Sequence, residues 1–216
     1  MGQSAAVPVT RDDVRYGLYL RPSLAMSRAQ ANLHDVLARQ YGLHAAGRFP
    51  PHATLKGFFR STLNTAQLRA RLTTVLTGRP AFTVFNHGVL AFGHDGIVLD
   101  IHRTPTGAPN TALRELHEAA LAALLPVVHQ DCEFTWTDPG AGERFHAHLT
   151  LAFADIPTAY FQEVLRFVRD AEPVGPSSFL ADTVHLLAFT SDRWDGPWWE
   201  SLRWRLLNSW HLAAPA

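Results

Sequence analysis

Apolar side chains recur along the chain with two periods: two residues in short runs and about 3.6 residues in longer ones. The short runs are rich in β-branched and aromatic residues and are bounded by turn-forming residues, which is typical of strands. In the N-terminal part we predict strands at 14–20, 52–59 and 82–92, the last interrupted near Gly88. The longer segments predict helices at 24–41 and 64–76. Asn64 and Gln67 have the spacing of a capping box, which marks the start of the second helix.

The same order of elements recurs further along the chain. We predict strands at 97–102, 144–153 and 179–189, helices at 110–125 and 158–170, and a last strand at 199–210. Two short identities recur at nearly the same separation, His-x-Thr-Leu (from His52 and from His148) and Leu-Ala-Phe (from Leu90 and from Leu187). Common strand residues explain the second identity well but the first one poorly. We therefore predict one domain with two pseudo-equivalent halves, 14–92 and 97–190, followed by the strand at 199–210.

Length and charge narrow the class of protein. The 216 residues are 47% hydrophobic, enough for a sizeable core, and 19 basic residues balance 19 acidic ones. A neutral total excludes the broad basic surface that binders of duplex DNA or anionic membranes need. The single Cys132 permits no intrachain disulfide, and no apolar run is long enough for a membrane span. We therefore expect a cytoplasmic monomer that binds neither membranes nor duplex DNA.

Two predicted strands carry polar side chains on one face and aliphatic ones on the other. Residues i, i+2 and i+4 of a strand share a face. The polar residues are His52, Thr54 and Lys56 in one strand, and His146, His148 and Thr150 in the other. A buried sheet face is polar only where its groups meet one another or a ligand, so these strands predict two walls of a polar cleft.

Such a cleft suits in-line displacement at phosphorus. A neutral imidazole accepts a proton and an imidazolium donates one, both near neutral pH. We assign His52 as the base for the attacking oxygen and His148 as the acid for the leaving oxygen. Threonine hydroxyls donate hydrogen bonds to non-bridging oxygens, and Lys56, the only lysine in the chain, neutralises their charge. No metal is needed, because the leaving group receives a proton instead.

The two motifs, His52-Ala-Thr54-Leu and His148-Leu-Thr150-Leu, resemble those of the two-histidine (2H) phosphoesterase superfamily, in particular its 2′-5′ RNA ligase and cyclic nucleotide phosphodiesterase type. The resemblance implies an α+β, two-lobed, pseudo-symmetric duplicated fold, with an antiparallel sheet in each lobe, helices outside and the active cleft between. It also implies cofactor-free hydrolysis or ligation of 2′,3′-cyclic or 2′-5′ phosphoesters in small nucleotides or RNA termini. Some relatives carry a basic residue after the second motif. Here Leu151 to Ala154 offer none, which makes Lys56 the candidate cation.

Two other functions compete with this one. The same cleft can bind a phosphorylated ligand without turnover. Alternatively, His146 and His148 have a His-x-His spacing that is common among metal ligands, although no third ligand follows on the same face. We expect no metal, and we expect His146 to line the cleft or to form a hydrogen bond nearby. Tryptophans concentrate near the C-terminus, where the segment 195–199 can stack on a base or pack a turn against the core.

Overall fold

The computed structural model describes residues 14–132, 145–171 and 173–214. Its regular elements follow the predicted order. The first group is β1 (Arg15–Arg21), α1 (Leu24–Tyr41), β2 (Ala53–Phe59), α2 (Thr65–Leu76), β3 (Phe82–Phe85) and β4 (Val89–Phe92). The second group is β5 (Gly96–Asp100), α3 (Thr111–Leu124), β6 (His148–Ala152), α4 (Phe161–Asp170), β7 (Ser178–Ala181), β8 (Thr183–Thr190) and β9 (Arg203–His211). The predicted α+β class is confirmed.

Local signals in the sequence set several boundaries. The capping box forms: Asn64 Oδ1 accepts from the Gln67 N–H and Gln67 Oε1 accepts from the Asn64 N–H, each at 3.0 Å. Gly42 ends α1 in the left-handed conformation, with φ of 69°. Two predicted strands divide in two. Gly88, with φ of 87°, lies in the loop between β3 and β4, and Asp182 separates β7 from β8.

One antiparallel sheet of seven strands dominates the described residues, in the order β4-β5-β6-β2-β1-β8-β9, and β3 pairs with β7 in a small second sheet. Helix α1 packs against β6 and α3 packs against β2. The side chains between helices and sheet form the main hydrophobic core. The other face of the sheet is therefore the one that can carry a ligand. Among the described residues, no helix is both long and apolar enough to cross a bilayer.

The two halves of the chain exchange their last strands. β4 of the first half pairs with β5 of the second, and β8 of the second half pairs with β1 of the first. Strands β2, β1 and β8 thus form one group and β6, β5 and β4 the other. The groups meet at a single backbone pair, Ala53 with Leu149, which are equivalent residues of the two repeated motifs. This pairing places both His-x-Thr segments at the centre of the sheet.

Candidate active site

A cavity of about 350 Å³ lies over the junction of β2 and β6, on the face of the sheet away from the helices. Four of the predicted site residues line it together, namely His52, Thr54, His148 and Thr150. All four side chains are half-buried. The alternation predicted for the start of each strand therefore places one histidine and one threonine from each half in a common cleft.

The two histidines are held in the same way. His52 Nδ1 lies 2.8 Å from the Pro50 carbonyl oxygen, and His148 Nδ1 lies 2.7 Å from the His146 carbonyl oxygen. Because a carbonyl only accepts, each ring carries its proton on Nδ1 and leaves the Nε2 lone pair free. Each imidazole is thereby fixed as the tautomer that takes up a proton at Nε2.

Burial sets the protonation of both rings in the free protein. It lowers the pKa of His52 to about 4, although the bond to the Pro50 carbonyl raises it, and positive charge on His148 lowers it further. Burial also lowers the pKa of His148, against the opposing effects of the His146 carbonyl and of Asp100. At neutral pH both rings are therefore mainly neutral before a phosphate enters.

A carboxylate distinguishes the two histidines. Asp100 lies directly opposite His148 in the β5–β6 ladder, and its Oδ1 accepts from the His102 N–H at 2.9 Å. The same oxygen lies 3.1 Å from His146 Nε2. Asp100 raises the pKa of His148, although positive charge on His146 lowers it. The charged groups that act on His52, namely His148 and His34, both lower the pKa of His52, and no carboxylate among the described residues opposes them. A positive charge is therefore held better on His148 than on His52. Sequence patterning alone did not single out Asp100.

Two histidines that the sequence did not mark as functional brace the motif strands from the helix side. Buried backbone carbonyls that have no partner in a ladder need other donors. His34 Nε2 and Gln30 Nε2, both on α1, donate to the Thr150 carbonyl at 3.0 and 2.9 Å. His117 on α3 donates to the Leu55 carbonyl at 2.8 Å. His34 and His117 lie on the apolar faces of predicted helices, and this position in the sequence could have indicated that both are buried and hydrogen-bonded.

Lys56 does not share the cleft face, contrary to the sequence-based prediction. Leu18 faces Lys56 and Tyr19 faces Thr54, so β2 carries one extra residue here and its alternation breaks. Gly57 lines the cleft instead, and Lys56 is not among the described residues that do so. Its side chain is buried, and burial lowers the pKa of Lys56 to about 8 while Cys132 raises it. The bulge thus removes the geometric basis for phosphate binding by Lys56.

His146 lies beside the cleft and is not among the described residues that line it. Strand β6 begins only at His148, so the two histidines do not share a strand face. The His146 ring stacks on His102, with centroids 4.8 Å apart, and its Nε2 faces Asp100. Within the described ranges, no three histidine, cysteine, aspartate or glutamate side chains form a group that could hold a metal ion. His146 contributes its carbonyl to the orientation of His148.

Aromatic side chains form the walls of the cleft. Phe92 lies against the His148 ring, with centroids 4.5 Å apart. The opposite wall consists of Phe49, Phe58, Phe153 and Trp198. Trp198, from the 195–199 segment, packs on this wall and lines the cavity as well. Aromatic surfaces therefore lie beside the polar centre of the cleft.

The Tyr19 ring is packed edge-on against His52, with centroids 4.4 Å apart, and this position requires a glycine two residues earlier. A Cβ atom at Gly17 would lie 2.3 Å from the Tyr19 hydroxyl. Of the two tyrosines of β1, Tyr19 thus faces the cleft, while Tyr16 lies in the main core.

Comparison with known proteins identifies the family and agrees with the fold. The family model of the 2′-5′ RNA ligase superfamily matches residues 23–193. The structure is similar to that of protein TT0787 of Thermus thermophilus, with a TM-score of 0.57 at 14% identity over 92% of this chain and 97% of that one. It is also similar to E. coli LigT complexed with NADP+, with a TM-score of 0.53 at 17% identity over 92% of this chain and 96% of that one.

A third similar structure is E. coli LigT complexed with 3′-AMP, with a TM-score of 0.50 at 16% identity over 93% of this chain and 98% of that one. Comparison with curated protein sequences gives no significant match. At these identities the structural likenesses establish the fold, and the family model covers most of the chain. The chain therefore belongs to the 2′-5′ RNA ligase superfamily of two-histidine phosphoesterases.

Proposed function

We propose that this phosphoesterase is a metal-independent phosphodiesterase that acts on a 2′,3′-cyclic or 2′-5′ phosphoester of a nucleotide or an RNA terminus. The observation that carries the proposal is the matched pair of imidazoles, His52 and His148, each with Nδ1 bound to a carbonyl and each followed by a threonine in the same cleft. Two proton-transfer groups and two hydroxyl donors are what a phosphorus displacement without a metal requires.

In the proposed reaction His52 Nε2 takes a proton from a water molecule as its oxygen attacks phosphorus. The bond from phosphorus to the leaving alkoxide breaks, and His148 Nε2 gives that alkoxide a proton. Asp100 supports this assignment because it favours the positive charge on His148. With a 2′,3′-cyclic phosphate as the substrate, a 5′-hydroxyl in place of water forms the new bond to phosphorus while the 3′-oxygen leaves with the proton from His148, and the product is a 2′-5′ diester. In the reverse of this step the two histidines exchange roles.

The lining of the cleft favours a singly charged phosphodiester. The described residues that line it include no lysine or arginine, and Asp95 contributes a carboxyl group. A phosphodiester carries one negative charge and a terminal phosphate about two, so the neutral donors of this cleft suit the diester better. The aromatic walls suit its base, which agrees with the nucleotides held in the LigT structures.

A hydrolysis panel tests the function. We expect the purified chain, in excess chelator, to hydrolyse at least one substrate among the 2′,3′-cyclic mononucleotides, ADP-ribose cyclic phosphate and short 2′-5′ and 3′-5′ oligonucleotides. Activity lost in chelator and restored by a divalent cation would favour a metal-dependent hydrolase. Binding of these compounds with no turnover would favour a binding module and refute the proposal.

The pH dependence of kcat/KM provides a second test. The base must be unprotonated, so activity falls as the pH drops through the pKa of His52, about 4. The acid must be protonated, so activity also falls as the pH rises through the pKa of His148, which lies below the ordinary histidine value. We therefore expect a bell-shaped profile with its optimum on the acidic side of neutrality.

Replacing Asp100 with asparagine is expected to shift the alkaline limb of the pH profile of kcat/KM. Asparagine keeps an oxygen for the His102 N–H but removes the charge that raises the pKa of His148. The alkaline limb of kcat/KM should shift to lower pH while the acidic limb stays. Asp170→Asn, at the exposed end of α4, is the matched control and should leave both limbs in place. An unchanged alkaline limb in Asp100→Asn would remove Asp100 from the mechanism.

A further inference from the structure

A second groove, of about 270 Å³, lies beside the catalytic cleft. Tyr19 and His52 line both cavities, so the two meet at the proposed base. The remaining lining is mainly apolar and includes Pro22, Pro50, Pro51, Leu187, Trp204 and Leu206, with the polar residues Arg21, Ser27 and His185 beside them. A group attached to a phosphate at His52 can therefore be accommodated either in the cleft or in this groove.

The groove and the cleft lie on the same face of the sheet. In the β8–β9 ladder, Trp204 pairs with Phe189 and Leu206 pairs with Leu187. Phe189 and Leu187 belong to the aromatic cluster that packs beside the cleft with Tyr19. A substrate can therefore run from the cleft across His52 to β9 without leaving this face.

Trp204 and Leu206 are exposed in a way that core packing does not explain. Each keeps 46% of its surface accessible, although both are large apolar residues on the edge strand β9. Two polar groups at the groove have partners in the protein: the Arg21 guanidinium lies 3.3 Å from Asp182 Oδ1, and His185 Nδ1 lies 2.9 Å from Ser209 Oγ. An apolar surface with a few polar groups at its edge suits a nucleobase.

We propose that this groove binds the second nucleoside of the substrate, the one on the far side of the scissile phosphate from the nucleoside held in the central cleft. The proposal rests on the proposed phosphodiesterase function and adds dinucleoside and longer diesters to its substrates, as the ones that fill both the cleft and the groove. Trp204 provides the stacking surface for the base. A cyclic mononucleotide has no second nucleoside and leaves the groove empty.

The test compares Trp204→Ala with the wild-type chain on two substrates, a 2′-5′ dinucleoside monophosphate and a 2′,3′-cyclic mononucleotide. Loss of one stacked base should lower kcat/KM for the dinucleoside by roughly five- to one-hundredfold. Because Trp204 does not line the central cleft, kcat/KM for the cyclic mononucleotide should stay within about twofold of the wild-type value. Leu180→Ala, on β7 and similarly exposed at 42%, is the matched control and should change neither value.

The outcomes separate the two proposals. If the wild-type chain hydrolyses neither substrate, the phosphodiesterase function fails and this inference fails with it. If the wild-type chain is active and Trp204→Ala changes both substrates equally or neither, only the second-nucleoside site is refuted. A selective loss on the dinucleoside supports the site.

Discussion

Alanine in place of His52 or His148 is expected to lower kcat for the preferred phosphodiester by about 10²–10⁴-fold, the usual contribution of one general acid or base. Each ring is half-buried and, among the described residues, hydrogen-bonds to a carbonyl two residues away, so its loss removes aromatic contacts at the cleft but no hydrogen bond between distant segments. Both variants should therefore keep the wild-type circular dichroism spectrum and unfold cooperatively. A double variant with turnover close to the wild-type value would refute the site.

The two single variants should differ on a substrate with a good leaving group. In a p-nitrophenyl phosphodiester the leaving phenolate needs no proton, so an enzyme without its acid loses little. His148→Ala should therefore recover most of its activity on that substrate, and His52→Ala should not, because water still needs a base. Recovery in His52→Ala instead would reverse the roles of the two histidines.

The centre of the site was predictable because its signal is local. Alternation over three residues was enough to place His52 with Thr54 and His148 with Thr150 on a cleft face. The helix at 24–41 and the capping box at Asn64 were likewise predicted correctly, since caps and periodicity depend only on neighbours along the chain. The repeated motif even indicated which residues are equivalent, and two of these, Ala53 and Leu149, pair with each other.

What the sequence could not predict depends on contacts between distant segments. The bulge that turns Lys56 away from the cleft is a register shift between β1 and β2, visible only once the strands pair. Asp100 raises the pKa of His148 because it lies opposite His148 in the β5–β6 ladder. The two strands are far apart in the sequence, so their pairing has no local signal. Composition and periodicity do not indicate that β4 pairs with β5 and that β8 pairs with β1. Each strand would bury the same side chains if it paired within its own half of the chain.

Side chains from the helix layer complete the hydrogen bonding of the two motif strands. Leu55 is the extra residue at the bulge of β2 against β1, and its carbonyl accepts from His117, while the Thr150 carbonyl on β6 accepts from His34. Burial lowers the pKa of both histidines and keeps them neutral. Such contacts between a helix and a strand distant in the chain have no local signal in the sequence.

Valine in place of Thr54 or Thr150 is expected to lower kcat by about 10²–10³-fold, the usual effect of removing one donor to an oxyanion. Valine keeps the shape of threonine, and neither hydroxyl bonds to another side chain in the described part of the protein, so the fold should not change. The loss should fall on kcat more than on KM, because the hydroxyls hold non-bridging oxygens most tightly as charge redistributes in the transition state. Thr158→Val, exposed and far from the cleft, is the control and should match the wild-type chain.

Replacing both threonines together tests their role in phosphate binding more sharply than replacing either one alone. If the two hydroxyls hold different oxygens of one phosphorus centre, the double variant should lose roughly the product of the two single losses. If only one hydroxyl reaches the phosphate, the second substitution should add nothing to the first. Steady-state kcat for the four proteins, wild type, Thr54→Val, Thr150→Val and the double variant, distinguishes these cases. Full activity in both single variants would leave phosphate binding to the imidazoles alone and would refute the role proposed for the threonines.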